Sequence, residues 1–274
     1  MFKKYKKYQE NNFHKPVRKK KFGQHFLRDQ SIVDNMISKV NITDQTFVLE
    51  IGCGDGFLTS SILSQTKCKQ LWGYEIDPEW ASFVKKKIHD TRLVIKKQDI
   101  LSVDFEKELV SHVPWVLLAN LPYQITFPLL FLIAKHKNLF SEGVIMIQEE
   151  VAQKILATHG RTFSPTSMFL QYNFYLELLD KVPPESFEPA PKIFSRTVYF
   201  KPKFNTQEIK NEDEFWNFLK LCFKFPRQTL RNNLKSTKYL ELFPEIFTQE
   251  LLRLRAQQMS FDDFKKIWAK IINF

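Results

Sequence analysis

The residues best equipped for chemistry are Asn120-Leu121-Pro122-Tyr123, which end the apolar run Trp115-Val116-Leu117-Leu118-Ala119. Asn120 offers a neutral acceptor oxygen and an amide donor, the Pro122 carbonyl a second acceptor, and Tyr123 a flat π-face. Two acceptors can take both hydrogens of a planar exocyclic amine while the ring bearing it stacks on the tyrosine. On these four residues alone a plain turn explains the pattern equally well, because Asn and Pro are common in turns. The surrounding elements decide between the two.

The run before Asn120 is short and apolar throughout, as in a strand buried on both faces of a parallel sheet. Pro122 cannot continue a ladder, so the chain leaves the strand there. Side chains and carbonyls at Asn120, Leu121 and Pro122 then face the crevice beyond the strand's carboxyl end, where open α/β sheets bind ligands. Other strands are expected at Phe47–Ile51, Leu71–Asp77, Leu93–Ile95 and Gly143–Ile147, with helices after most of them. Phe57 to Gln65 is one such helix, and Pro78 opens another at its favoured first-turn position. This βαβα rhythm predicts an α/β fold with a doubly wound, mostly parallel sheet. Phe174–Val182 and Arg196–Lys201, separated by a proline-rich loop, are expected to close it as an antiparallel edge pair. Past Lys203 helical periodicity takes over (Phe215, Phe218, Leu219, Cys222; then Phe261, Phe264, Ile267, Trp268, Ile271), with Ser260 and Asp263 marking a helix start. A small helical domain is expected from about 205 to 274.

A second constellation lies at the strand ends. Gly52-Cys53-Gly54-Asp55-Gly56 is a glycine turn spaced G-x-G-x-G. A dinucleotide site wants G-x-G-x-x-G with a pyrophosphate at the helix N-terminus, and Asp55 would repel it. S-adenosylmethionine instead brings a cationic amine and a sulfonium. Glu75 is placed to accept from both ribose hydroxyls, which serves either cofactor, and Asp99 can accept from an adenine amine. Taken singly each acid reads as a solvated strand-end residue; three at successive crevice positions favour S-adenosylmethionine. Acceptors on an adenine-type amine would leave its lone pair free for in-line methyl transfer without a strong base. Tyr123 would hold the extruded base.

Composition narrows the partners. The formal charge of +11 favours polyanions. No run approaches the roughly 18–20 apolar residues of a membrane span, so nucleic acid leads. Cys53, Cys68 and Cys222 fit neither a disulfide framework nor a zinc site, and no metal is expected; they read as buried residues in a reducing compartment. Residues 1–21 carry nine Lys/Arg against one Glu. This reads as a basic arm contacting phosphates, with Lys19, Lys20 and Lys21 nearest the folded part; a transit peptide or a merely solvated tail are the alternatives.

The set Phe22-Gly23-Gln24-His25-Phe26-Leu27, Glu50 to Thr59, Glu75-Ile76-Asp77, Gln98-Asp99-Ile100 and Asn120 to Ile125 resembles the ribosomal RNA adenine N6-dimethyltransferases, most of all their bacterial KsgA type. Pro183 to Lys192 resembles that family's linker before the last strand, and Arg227 to Leu234 its basic C-terminal helix. The match runs from about Lys19 to Ile271. It implies a Rossmann-like class I S-adenosylmethionine-dependent methyltransferase fold over residues 22–203 and a helical RNA-binding domain over 204–274. The implied substrate is two adjacent adenines in the 3′-terminal hairpin loop of small-subunit rRNA, each methylated twice within the immature subunit. Cofactor contacts are implied at His25, Leu27, Gly52, Glu75, Asp99 and Asn120, with Gln24, Gly54, Ile76 and Ile100 shaping the same pocket. Asn120, Pro122 and Tyr123 form the catalytic set, and Arg227 and Arg231 join the lysines on RNA. A cytoplasmic monomer is expected.

The chain departs from the pattern twice. Phe163-Ser164-Pro165-Thr166-Ser167 stands where the family has Tyr-Gly-Arg-Leu-Ser, and Phe225-Pro226-Arg227-Gln228 lacks the usual adjacent arginines. Two other readings compete: an erythromycin-resistance type methyltransferase of large-subunit rRNA, and a ribosome-assembly factor that only binds RNA. The former more often reads Asn-Ile-Pro-Tyr, and a pure binder need not keep Asn120, Pro122, Tyr123, Glu75 and Asp99 together.

Overall fold

Short apolar runs bounded by turn residues become five parallel strands in the computed structural model, which describes residues 15–19, 22–204, 208–242 and 245–273. They are β1 (Phe47–Ile51), β2 (Gln70–Tyr74), β3 (Leu93–Lys96), β4 (Trp115–Asn120) and β5 (Phe140–Gln148). The antiparallel strands β6 (Phe174–Val182) and β7 (Ser195–Pro202) complete the order β3-β2-β1-β4-β5-β7-β6. Strand order reverses between β1 and β4, so a crevice opens beyond their carboxyl ends. The glycine turn and Asn120 emerge on either side of it.

Helices α1 (Gln30–Ser38), α2 (Phe57–Gln65), α3 (Pro78–Lys87) and α4 (Thr126–Lys135) connect the first elements. Asp77 caps α3 by accepting from the Glu79 amide at 3.1 Å, with Pro78 in the first turn as expected. Alternate residues of the central strands, Val48, Val116, Leu118, Val144 and Met146, share a core with Val33, Met36, Ile62 and Val84 from the helices. At Gly143 a Cβ would lie 2.5 Å from the Leu117 carbonyl oxygen and 2.6 Å from the Phe200 ring, which is why β5 carries a glycine there. Cys53, Cys68 and Cys222 are free and buried.

The chain divides into two units. One runs to Ala152 and resumes at Phe174–Pro202; the other takes Gln153–Asn173 and everything from Lys203. Assignment of residues 22–203 to a single domain therefore needs correcting at 153–173, which includes α6 (Pro165–Asn173), after α5 (Glu149–Leu156). The cause is apolar: Phe163 and Met168 are buried in one core with Phe215, Phe218, Leu230, Phe264 and Trp268. The rest of that unit is built from α7 (Glu212–Cys222), α8 (Leu230–Leu234), α9 (Gln249–Arg253) and α10 (Phe261–Ile271). Ser260 and Asp263 form a reciprocal capping box at α10. Among the described residues no helix is long and apolar enough to cross a membrane.

Candidate active site

Beyond the switch point a cavity of about 330 Å³ is lined by Gln24, His25, Leu27, Gly52, Gly54, Glu75, Ile76, Asp99, Ile100, Asn120, Pro122 and Tyr123. These are all the residues that the sequence nominated for cofactor or amine.

One wall is a backbone cradle. The Gly52 amide donates to the Tyr74 carbonyl at 2.8 Å. The Glu75 carboxylate then bridges two turns, accepting from the Gly54 amide at 2.8 Å and the Asp77 amide at 2.9 Å. Gly54 has φ of +55°, and a Cβ there would meet the Phe26 ring at 2.8 Å, so only glycine fits. Burial pushes the Glu75 carboxyl upward, and the backbone amides oppose that shift. Each oxygen still has a lone pair beyond its amide bond. At the end of β3, Asp99 caps the turn Ile100–Ser102 by accepting from the Leu101 amide at 3.0 Å. That bond uses one oxygen and leaves the other available.

The opposite wall carries the amine-binding set. Asn120 Nδ2 donates to the His25 carbonyl at 3.0 Å, which fixes the amide plane and turns Oδ1 away from that carbonyl as an acceptor. The Pro122 carbonyl accepts from the Ile125 amide at 3.1 Å and retains one lone pair. Tyr123 is held by its hydroxyl, 2.7 Å from that of the fully buried Ser195. Burial raises its phenol and the Ser195 bond works against that rise. Its ring lies nearly parallel to His25, with centroids 6.0 Å apart and planes 22° apart.

The segment 22–27 is fastened to this wall. Phe26 and Leu27 pair antiparallel with Glu188 and Phe187. His25 Nδ1 is 2.7 Å from the Pro189 carbonyl oxygen. Gln24 accepts from the Lys19 amide at 2.8 Å.

Several placements differ from expectation or add to it. Asp55, read as unfavourable to a pyrophosphate and suited to a cationic cofactor, lines the cavity and is buried, and the Arg28 guanidinium pairs with it at 2.8 Å. The Lys19 ammonium, expected on phosphate, sits between Asp77 and Glu79 at 2.9 Å from each. Lys20 and Lys21, like most of the arm, lie outside the described residues. The expected helix over 227–234 is shorter: Thr229 caps α8, so exposed Arg227 precedes it. Exposed Arg231 lies on α8 and donates to Gln249 Oε1 at 3.2 Å.

Sequence reasoning missed Arg28, Ser195 and the Pro189 carbonyl, which act through long-range contacts that no local pattern announces. It also gave Glu50 no role, although the position before the glycine turn was in view. Among the described residues no group of three or more His, Cys, Asp or Glu side chains could hold a metal ion.

Comparison with known proteins supports the same conclusion. The family model for ribosomal RNA adenine dimethylase matches residues 16–267. A "Ribosomal RNA small subunit methyltransferase A" of Mesomycoplasma hyopneumoniae is 39% identical over 80% of this chain and 82% of its own. The protein of that name from Mycoplasma mobile is 32% identical over 92% of this chain and 98% of its own. A dimethyladenosine transferase from Plasmodium falciparum superimposes with a TM-score of 0.77 at 28% identity, covering 91% of this chain and 98% of that one. The 23S rRNA methyltransferase ErmE shares the fold, with a TM-score of 0.69 at 18% identity over 90% of this chain and 99% of that one. With its motifs gathered around one cavity and the family model spanning both units, the chain belongs to the ribosomal RNA adenine dimethylase family.

Proposed function

We propose that this protein dimethylates N6 of two adjacent adenines in the 3′-terminal hairpin loop of small-subunit rRNA, using S-adenosylmethionine, during small-subunit biogenesis. The observation that carries this reading is the fixed Asn120 amide, whose Nδ2 is occupied by the His25 carbonyl so that Oδ1 faces outward as an acceptor.

The cavity suits the proposed cofactor by its donors and acceptors. Glu75 has lone pairs for two ribose hydroxyls, Asp99 has a spare oxygen for an adenine amine, and the described lining includes no lysine or arginine to repel a cation. S-adenosylmethionine would supply an electrophilic methyl group. The chain's own residues do the rest. Tyr123 stacks on the extruded adenine while Asn120 Oδ1 and the Pro122 carbonyl accept its two amine hydrogens. Those bonds favour a more tetrahedral nitrogen and direct its lone pair at the methyl position. The second methylation needs only one acceptor, because one hydrogen has been replaced. Exposed Arg227 and Arg231 are proposed to meet RNA phosphates, which orient the substrate without reading sequence.

The test is tritiated methyl incorporation into immature small subunits and, in parallel, into large-subunit RNA, followed by nucleoside analysis and mapping. The expected product is N6,N6-dimethyladenosine at adjacent positions. Incorporation confined to large-subunit RNA would replace this reading with the erythromycin-resistance type, and binding without transfer would replace it with an assembly factor. Asp99→Ala is expected to weaken S-adenosylmethionine binding about ten- to a hundredfold, since a hydrogen bond to a charged group contributes about 1.5–3 kcal/mol. Unchanged affinity by calorimetry would remove Asp99 from the cofactor site.

A further inference from the structure

Glu50, in β1, is 1% exposed and lines the cavity. Among the described residues neither of its carboxyl oxygens completes a well-formed hydrogen bond. The Thr59 hydroxyl and backbone amide of α2 are the nearest donors beside it, and among the described residues neither completes a well-formed hydrogen bond to it. A buried polar group without a partner is rare and signals either strain or a function. The surrounding charges deepen the problem. Glu75 and Asp55 are both acidic neighbours, and the Cys53 thiol is buried close by. The nearby cations are already engaged: Arg28 with Asp55 and Glu188, and Lys87 with the Asp55 carbonyl. Among the described residues, Glu50 therefore faces the cavity with acids around it and no cation paired to it.

Resting on the cofactor reading above, we infer that Glu50 reads the charge of the cavity's occupant: it stays protonated while the cavity is empty and releases its proton to solvent when cationic S-adenosylmethionine enters. The O–H bond of the carboxyl breaks, the proton passes to water or buffer, and the positive charge of the occupant balances the new carboxylate. After methyl transfer the sulfonium has become a neutral thioether, that balance is lost, and Glu50 takes its proton back. The site thus prefers the methyl donor to its spent product. Geometry supplies the coupling, and titration agrees with it: burial, reinforced by Glu75 and Asp55, pushes the Glu50 carboxyl up to about 8, with Thr59 opposing.

The sign of the pH effects follows. An unfolded Glu50 ionises near 4.5 and the folded one near 8, so its contribution to stability falls as pH rises between those values, then levels off. Affinity for S-adenosylmethionine moves the other way. It is expected to rise up to about tenfold per pH unit below 8, because binding releases a proton.

The experiment is isothermal titration of the full-length protein at pH 7 in buffers of different ionisation heat, with S-adenosylmethionine and with S-adenosylhomocysteine. The wild type is expected to release about one proton more than Glu50→Gln on binding the sulfonium, which cancels any proton exchanged by the ligand itself. The thioether should release a smaller amount. Glu50→Gln mimics the protonated group and is expected to fold, and its unfolding transition should lack the wild-type decline in stability between pH 5 and 8. Equal proton release by both proteins, with saturable binding intact, would overturn this inference and spare the cofactor assignment. No saturable binding by the wild type would overturn both.

Discussion

Asn120→Ala is expected to slow methyl transfer by about a hundredfold or more at saturating cofactor, while binding of the RNA substrate changes little. In the proposed mechanism the amide accepts from the reacting nitrogen, and loss of one transition-state hydrogen-bond partner has that order of effect. The Pro122 carbonyl and the Tyr123 ring remain, so activity falls without vanishing. RNA affinity rests mainly on phosphate contacts, which this substitution does not reach. Single-turnover kinetics with preformed immature subunits make the separation, because a cofactor-affinity loss disappears at saturation and a chemical defect does not. Asn120→Asp is the informative companion. It keeps an acceptor but replaces the donor to the His25 carbonyl, so the side chain loses its fixed orientation. Near-normal transfer by Asn120→Ala at saturating cofactor would eliminate the proposed mechanism.

Tyr123→Ala is expected to lower kcat/KM about ten- to a hundredfold. Stacking of a base on an aromatic ring contributes roughly 1–3 kcal/mol, and that energy is proposed to be used in holding the extruded adenine. Tyr123→Phe keeps the ring and loses only the bond to Ser195, so a decrease of about tenfold at most is expected. A target adenine replaced by 2-aminopurine reports unstacking by fluorescence, independently of turnover. Equal damage from Phe and Ala would mean that the hydroxyl, rather than the ring, is what the reaction needs.

What could be read in advance divides along a physical line. Strands β1, β4 and β5 were legible because burial makes each a largely apolar run, and the chain after β1 to β4 is punctuated by Gly, Asp or Pro. Asn120, Glu75 and Asp99 were legible because a parallel sheet places every strand's carboxyl end at one crevice. The allegiance of residues 153–173 was not. Phe163 and Met168 look the same whether they pack on a sheet or on helices, and only tertiary contact distinguishes them. The Asp55–Arg28 pair joins residues separated by a helix and a strand, so no local pattern announced the cation beside the glycine turn's carboxylate. Glu50 was hidden for the opposite reason. A carboxylate inside an apolar strand, flanked by Leu49 and Ile51, draws attention only once its missing partners are known.

The strap formed by residues 22–27 belongs to no strand of the main sheet, yet it supplies the carbonyl that orients Asn120 and closes the cavity beside Leu27. Strap and occupant therefore share a free energy. Whatever binds in the cavity tightens the strap, and by reciprocity whatever pulls the strap away loosens the occupant to the same degree. The last piece of the site arrives from chain that precedes the sheet. Docking of this segment and packing of the core are thus one event, and a protein trimmed ahead of α1 would lose both the carbonyl that holds the Asn120 amide and the two core side chains Phe26 and Leu27.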